Sequence, residues 1–193
     1  AITEPAAGYI TVNTGVAGYQ EAVTSPSAAG SVIAFTYPEI GGYGFIEGDS
    51  QSGRVHAAAI VAKRINAKHS NWRAKQSFRD YLVENNIAAV ENIDTRALLR
   101  YLKKNGEMYG LVTSKAKPKD IKASIKTLCG KNVYTPENRE YEWTEKLSEL
   151  GMADKESKYI KITDEPGNFK VAVIDCGVNT GILKMLASAG YKV

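Results

Sequence analysis

The sequence contains few of the residues that bind metal ions. Its 193 residues include only two cysteines and two histidines. Cys129 and Cys176 lie far apart, and neither has a CxxC partner or a histidine-rich neighbourhood of the kind that forms a zinc site. We therefore expect free, buried thiols and no metal site.

Long apolar runs are also missing. No segment reaches the roughly 18 apolar residues that cross a bilayer, and the first ten residues, AITEPAAGYI, lack the basic start and apolar run of a secretory signal. The sequence therefore predicts a cytoplasmic protein that does not bind membranes.

The excess of positive charge is small. There are 25 basic and 21 acidic residues, which gives a formal net charge of +4. The lysine-rich segment 115–126 contains no aromatic residue and no arginine, so it is typical of a solvated helix face. We expect no nucleic-acid partner.

Glycine, serine and strand-forming residues are common in the first 65 positions, which predicts short strands joined by turns. The clearest strand is 31–37, between Gly30 and Pro38. A second is 56–65, although its alanines also suit a helix. Helical spacing follows: in 92–106, Asp94 or Thr95 can cap the first amides and Gly106 ends the helix. The other predicted elements are helices at 77–86 and 120–130 and strands at 87–92 and 111–114.

The last third of the chain changes character twice. Residues 131–168 are polar and predict a surface linker, and 169–177 is an apolar run typical of a buried parallel strand. An amphipathic helix over 179–190 follows. One strand and one helix cannot bury a parallel sheet, so we expect the chain to be a fragment that ends inside a second α/β domain.

Two segments of the sequence are candidates for a ligand-binding or catalytic site. The turn DCGVNTGI (175–182) has backbone amides that can face a phosphate. It lacks both the GxGxxG and the Walker spacing, so a tight βα turn without a ligand fits it better. Cys176 as a nucleophile needs a base, and only His56 and His69 are available. Ser50 and Ser52 lie near His56 in sequence, but nothing in the sequence makes them a triad. The residues alone indicate no complete active site.

The segment NTGVAGYQEAVTSPS (13–27) is the second candidate. Gly15 and Gly18 permit close backbone approach, and Tyr19 and Gln20 offer hydrogen bonds. Residues 25–27 form an exposed turn whose hydroxyls can contact a polar ligand. A tight hairpin, or a short helix packed on the sheet, is the alternative.

Four motifs resemble a known family in order and spacing. Together they resemble the amino-terminal domain of the small, glutamine-hydrolysing subunit of carbamoyl-phosphate synthase, over about half the chain. Residues 171–193 resemble the opening of the class I glutamine amidotransferase domain of that subunit. The four motifs are NTGVAGYQEAVTSPS, TYPEIGGYG (36–44), SNWR (70–73) and IDTRALLRYLKKNG (93–106).

The resemblance implies a function shared with a partner. The family's small subunit hydrolyses glutamine and passes ammonia to a large subunit, which uses bicarbonate and ATP to make carbamoyl phosphate for arginine and pyrimidine synthesis. It implies a heterodimer in which ATP and metal ions belong to the large subunit, so we expect no cofactor here. The catalytic cysteine elbow, histidine and glutamate lie beyond residue 193, so this chain alone is expected to be inactive.

The resemblance also implies one substrate contact and a fold. Ser27 matches the serine of the family's DPS turn, which contacts the bound glutamine, while Gly18, Tyr19 and Gln20 are expected to support that turn. Ser25 departs from the usual aspartate. The implied fold is a three-layer β/β/α domain over 1–150, a linker over 151–168 and the start of the amidotransferase domain over 169–193.

Two other interpretations stay open. The first is an interaction module of the same fold with no part in catalysis. The second is a nucleotide-binding α/β protein that uses the CGVNTG turn.

Overall fold

The computed structural model of the chain describes residues 5–114, 120–131, 171–174 and 177–188. The chain divides into two compact units, Ala1–Val133 and Tyr134–Val193. The predicted domain boundary near residue 150 and the linker 151–168 lie outside the described residues and stay predictions.

A mixed five-stranded sheet forms the centre of the first unit, with strand order β6-β4-β2-β1-β7. Each neighbouring pair from β6 to β1 is parallel, and β7 is antiparallel to β1. Two further short strands, β3 and β5, form a separate parallel pair. The strands are β1 Ala6–Asn13, β2 Ser31–Phe35, β3 Glu39–Ile40, β4 Ala59–Val61, β5 Arg64–Ile65, β6 Ala88–Val90 and β7 Tyr109–Val112.

The helices have clear sequence signals at their first residues. Ser77 caps α2, because its Oγ accepts a hydrogen bond from the Asp80 amide at 3.1 Å. Asp94 caps α3 through the Ala97 amide at 2.9 Å, as predicted. The helices are α1 Tyr19–Thr24, α2 Phe78–Glu84, α3 Thr95–Asn105, α4 Ile121–Lys131 and α5 Thr180–Ser188, with a 3-10 helix at Pro26–Ala28.

The two faces of the five-stranded sheet bury different clusters because side chains alternate along each strand. Ile33, Phe35 and Ile60 point to one face, where they pack with α1, α2 and the two-stranded sheet. Val32 and Ala34 point to the opposite face and pack with Leu98 of α3. This arrangement confirms the predicted α/β class and is compatible with three β/β/α layers.

Two predicted strands are wrong in part. The run 56–65 is not one strand: β4 ends at Val61, and after Ala62 and Lys63 the chain joins the other sheet as β5, so it crosses from one layer to the next. Residues 171–174 form no strand, and Ile174 is 86% exposed. A strand needs a hydrogen-bonded neighbour, and no described strand pairs with this segment.

The remaining element predictions are confirmed with small shifts. The strand expected at 111–114 begins two residues earlier, at Tyr109, and ends at Val112. The helix expected at 179–190 is α5. In the segment 13–27 the alternative of a short helix packed on the sheet is the one that the structure shows, because α1 occupies its centre and lies against the core.

Candidate functional site

The candidate site is the α1 turn, which we define as residues 18–28, from Gly18 to the end of the 3-10 helix. It connects β1 to the parallel strand β2. Gly18 has a φ of 81°, a left-handed conformation that costs an L side chain energy. Its amide donates a hydrogen bond of 3.0 Å to the Tyr43 hydroxyl, which fixes the start of α1.

Tyr19 anchors the first residue of α1 to the segment 43–52. Its hydroxyl donates to the Gly44 carbonyl at 2.9 Å, and its ring stacks on Tyr43 with centroids 4.2 Å apart. Burial raises the pKa of Tyr19 above its ordinary value. The phenol is therefore a protonated donor at neutral pH.

Gln20 uses both ends of its amide. Its side chain is fully buried, and its Nε2 donates to the Ile46 carbonyl at 2.7 Å and to Ser50 Oγ at 3.0 Å. The Ile46 amide in turn donates to Oε1 at 2.9 Å. Because a buried amide is costly unless it is paired, this pairing determines where the segment 43–52 lies against α1.

The end of α1 is held by a second set of contacts. Thr24 Oγ1 accepts from the Gln51 amide at 3.0 Å, and Ser52 Oγ lies 2.8 Å from the Thr24 carbonyl. Ser52 Oγ is also 2.9 Å from His56 Nε2. Ser52 donates its proton to a backbone carbonyl, Thr24 or Arg54, so its geometry suits a clamp on α1 more than a nucleophile activated by His56.

Ser27 lies just beyond this clamp, in the 3-10 helix. Its neighbour Pro26 is buried, whereas Ser27 is exposed. The Ser25 and Ser27 hydroxyl oxygens are 2.8 Å apart, and either can donate to the other. The structure therefore presents a hydroxyl pair to solvent, on a turn that the hydrogen bonds of Gln20 and Thr24 fix to the protein.

Several predicted groups are not brought together with Ser27. Ser50 bonds to Gln20, and His69 is exposed in another loop. Cys176 lies outside the described residues. Gly177 has a φ of 106° and α5 begins at Thr180, so the phosphate interpretation of that turn stays a prediction.

The rest of the described chain adds little chemistry. Cys129 is a free thiol, as predicted, but it is half-buried and not buried; the burial that it has raises its pKa. Among the residues that the structure describes, no three His, Cys, Asp or Glu side chains are placed to hold a metal ion. In the same part of the chain, no helix is both long and apolar enough to cross a membrane.

The sequence comparisons give the family. A family model described as carbamoyl-phosphate synthase small chain, CPSase domain, matches residues 1–112. The chain belongs to this family. The α1 turn lies entirely within the matched residues.

Curated relatives agree with the family model. The chain is 36% identical to the carbamoyl phosphate synthase small chain of Synechococcus sp., over 96% of this chain and 47% of that protein. It is 35% identical to the small chain of Neisseria gonorrhoeae, over 97% of this chain and 50% of that protein. For Thermotoga maritima the identity is 36%, over 96% and 44%. The chain spans about half the length of the curated relatives that it matches.

Sequence reasoning missed how the site is supported. Tyr43, Ile46 and Ser52 hold the α1 turn, yet none was predicted to contact it. One signal was present, because TYPEIGGYG was among the motifs of the resemblance and supplies Tyr43 and Gly44. Ser52 and His56 had no signal beyond their closeness in sequence.

Proposed function

We propose that this chain is part of the glutamine-hydrolysing small subunit of a carbamoyl-phosphate synthase. In that role it contributes Ser27 to the glutamine site and docks on the large subunit. The observation that carries the proposal is the exposed Ser25–Ser27 hydroxyl pair on a turn tied down by buried hydrogen bonds, inside the residues that match the small-chain family.

The hydroxyl pair suits a polar substrate such as glutamine. When Ser25 donates to Ser27, the Ser27 proton is free to be donated to a substrate oxygen; when the bond reverses, Ser27 Oγ accepts from an ammonium or amide N–H. A turn that is already ordered loses little entropy on binding. The α1 turn is held at Gly18, Gln20 and Thr24, so it meets this requirement.

The chemical step in this proposal belongs to the glutamine amidotransferase domain of the small subunit. A cysteine thiolate attacks the side-chain amide carbon of glutamine, and backbone amides stabilise the oxyanion that forms. The C–N bond then breaks, ammonia leaves with a proton from a histidine, and water activated by the same histidine hydrolyses the thioester to glutamate and the free thiol. Ser27 binds and orients glutamine and does not take part in bond breaking. ATP and metal ions act on the large subunit, and the subunits work together in the cytoplasm.

Replacing Ser27 with alanine in the full-length subunit tests the proposal. We expect the KM for glutamine to rise about tenfold with a smaller change in kcat, because one hydrogen bond to a polar substrate is lost. Ser124→Ala is the matched control, since Ser124 lies on α4 and its hydroxyl donates only to the carbonyl of Asp120, the residue before that helix. An unchanged KM in Ser27→Ala would refute the role of Ser27.

A further inference from the structure

A cavity of about 300 Å³ lies at the carboxyl edge of the five-stranded sheet, away from the α1 turn. Thr36 follows β2, Lys63 follows β4, and the residues at the start of α3 follow β6. Because β2, β4 and β6 run parallel, all three lead into the same edge. In open α/β sheets this edge is where ligands bind.

Two cations line the cavity. Lys63 and Arg96 both contribute to its wall, and neither forms an ion pair with another described residue. One carboxylate, Asp94, also lines it, but its Oδ1 accepts the Ala97 amide at 2.9 Å as the cap of α3. The cavity therefore keeps a positive balance, and its two cations are available to a ligand.

Thr95 gives the cavity a buried polar group. Its side chain is only 3% exposed and lines the cavity. Its hydroxyl takes part in none of the side-chain hydrogen bonds of the described residues, and its oxygen is not one of the fully buried atoms that lack a partner, so it is accessible from the cavity. A hydroxyl that reaches the cavity beside two cations can donate a hydrogen bond to a bound anion.

The first turn of α3 adds backbone donors beside Thr95. The helix has eleven residues, and the first amides of a helix have no acceptor within it. Asp94 satisfies the Ala97 amide, which leaves the Arg96 amide beside the Thr95 hydroxyl. Backbone N–H, hydroxyl, ammonium and guanidinium groups together are the donor set that binds phosphate.

We propose that this cavity binds a small oxyanion of the phosphate class, either inorganic phosphate or a small phosphomonoester. The site is separate from the proposed glutamine contact. Ser27 lies before β2 and the cavity lies after it, and the five residues of that strand span about 16 Å. The two sites therefore lie at opposite edges of the sheet.

Calorimetric titration of the 193-residue chain at low ionic strength, with inorganic phosphate in one arm and glycerol 3-phosphate in the other, tests the proposal. We expect saturable binding in at least one arm and about tenfold weaker binding in Lys63→Gln and in Arg96→Gln, since each loses a charged hydrogen bond. Lys68→Gln is the control, because Lys68 is exposed and lies outside the cavity. It should bind as the unaltered chain does.

A second pair of variants tests the hydroxyl. Thr95→Ser keeps the hydroxyl and should keep the affinity, whereas Thr95→Val should lose about tenfold. Thermal unfolding of each variant identifies any that fail to fold. No saturable binding in either arm, or equal weakening in Lys68→Gln and Lys63→Gln, would overturn the proposal. These outcomes do not involve glutamine, so they leave the proposed role of Ser27 to its own test.

Discussion

At the residue scale, Gln20 is the side chain on which the α1 turn most depends. Gln20→Leu keeps the volume nearly unchanged but leaves the Ile46 amide and carbonyl buried without their partner. We expect a loss of about 2 to 4 kcal/mol in the free energy of unfolding, since two polar groups are affected. Urea denaturation measures it.

Gln76→Leu is the matched control for Gln20→Leu. Gln76 bonds to Glu84 at an exposed position, so its loss should stay within about 0.5 kcal/mol. Equal losses in the two variants would show that the buried hydrogen bonds of Gln20 do not stabilise the turn.

Gly44 has both a left-handed backbone conformation and no room for a Cβ atom, and substitutions at Gly44 and Gly48 separate these two effects. Its φ is 78°, and a Cβ built there would lie 2.7 Å from the Gln76 carbonyl oxygen. Gly48 has a φ of 92° but no atom within 4 Å of its Cβ position. Gly48→Ala should cost about 1 to 2 kcal/mol from backbone strain, and Gly44→Ala about 2 kcal/mol more from overpacking. Similar Tm values for the two variants would contradict this difference.

Local residue signals were predictable, whereas distant partners were not. The Asp94 cap was predictable because Asp94 and the Ala97 amide that it accepts are only three residues apart, within one helix-start pattern. The exposed turn at Ser27 followed from local proline and serine. Gln20 meets Ile46, which is 26 residues away, and no local pattern specifies a contact of that separation.

At the element scale, Glu91 joins β5, α2 and the end of β6. Its carboxylate accepts the Ile65 amide at 2.7 Å and two bonds from Arg79 at 2.8 and 2.9 Å. Burial alone raises the pKa of Glu91, but the Ile65 amide and the Arg79 guanidinium outweigh it, and the pKa falls below its ordinary value of 4.5. The charged form therefore stabilises the folded chain.

Glu91→Gln should remove this contribution in a pH-dependent way. A lowered pKa gives stability that is present above pH 4.5 and is lost as the pH falls through the folded value. We expect a loss of about 1 kcal/mol at pH 7 that shrinks steadily in acid. Glu39→Gln, which breaks the exposed pair with Arg64, should change stability little at any pH. A loss in Glu91→Gln that stays constant with pH would contradict the electrostatic explanation.

Predictions of helices and strands succeeded where the whole segment packs in a single layer of the fold. The helices α2, α3 and α4 lie where helical spacing and their first and last residues indicated. The prediction for 56–65 was wrong because β4 and β5 belong to different sheets, and hydrophobicity does not report which sheet a residue joins. The strand predicted over 169–177 was wrong at the described residues 171–174 for a related reason, since an apolar run predicts burial but not the neighbouring strand that it requires.

At the scale of the whole molecule, the sequence predicted the family and the layered fold because four separate motifs kept one order. Four motifs in one order are stronger evidence for the family than any one of them, since each motif alone is short. The domain boundary near residue 150 stays a prediction, and the polar stretch after α4 contains no hydrophobic periodicity to fix where a core ends.

Docking on the large subunit is the prediction that belongs to the whole molecule, and Trp72 is its most informative residue. The side chain of Trp72 is 92% exposed, while the Arg73 amide donates to Asn71 Oδ1 at 2.9 Å and so orders the backbone around it. Exposed tryptophan on an ordered loop is typical of a residue that a partner covers. In a calorimetric titration of the chain into the large subunit, we expect Trp72→Ala to weaken binding at least about tenfold.

Two controls make this titration decisive. Tyr101→Ala removes another exposed aromatic, from α3, and should leave the affinity unchanged if docking uses the loop of Trp72. A matched chain that lacks residues 169–193 should bind as well as the 193-residue chain, because we expect the first unit to carry the docking surface. Binding that is lost with residues 169–193 and indifferent to Trp72 would move the docking surface to the second unit and leave the exposed tryptophan without this role.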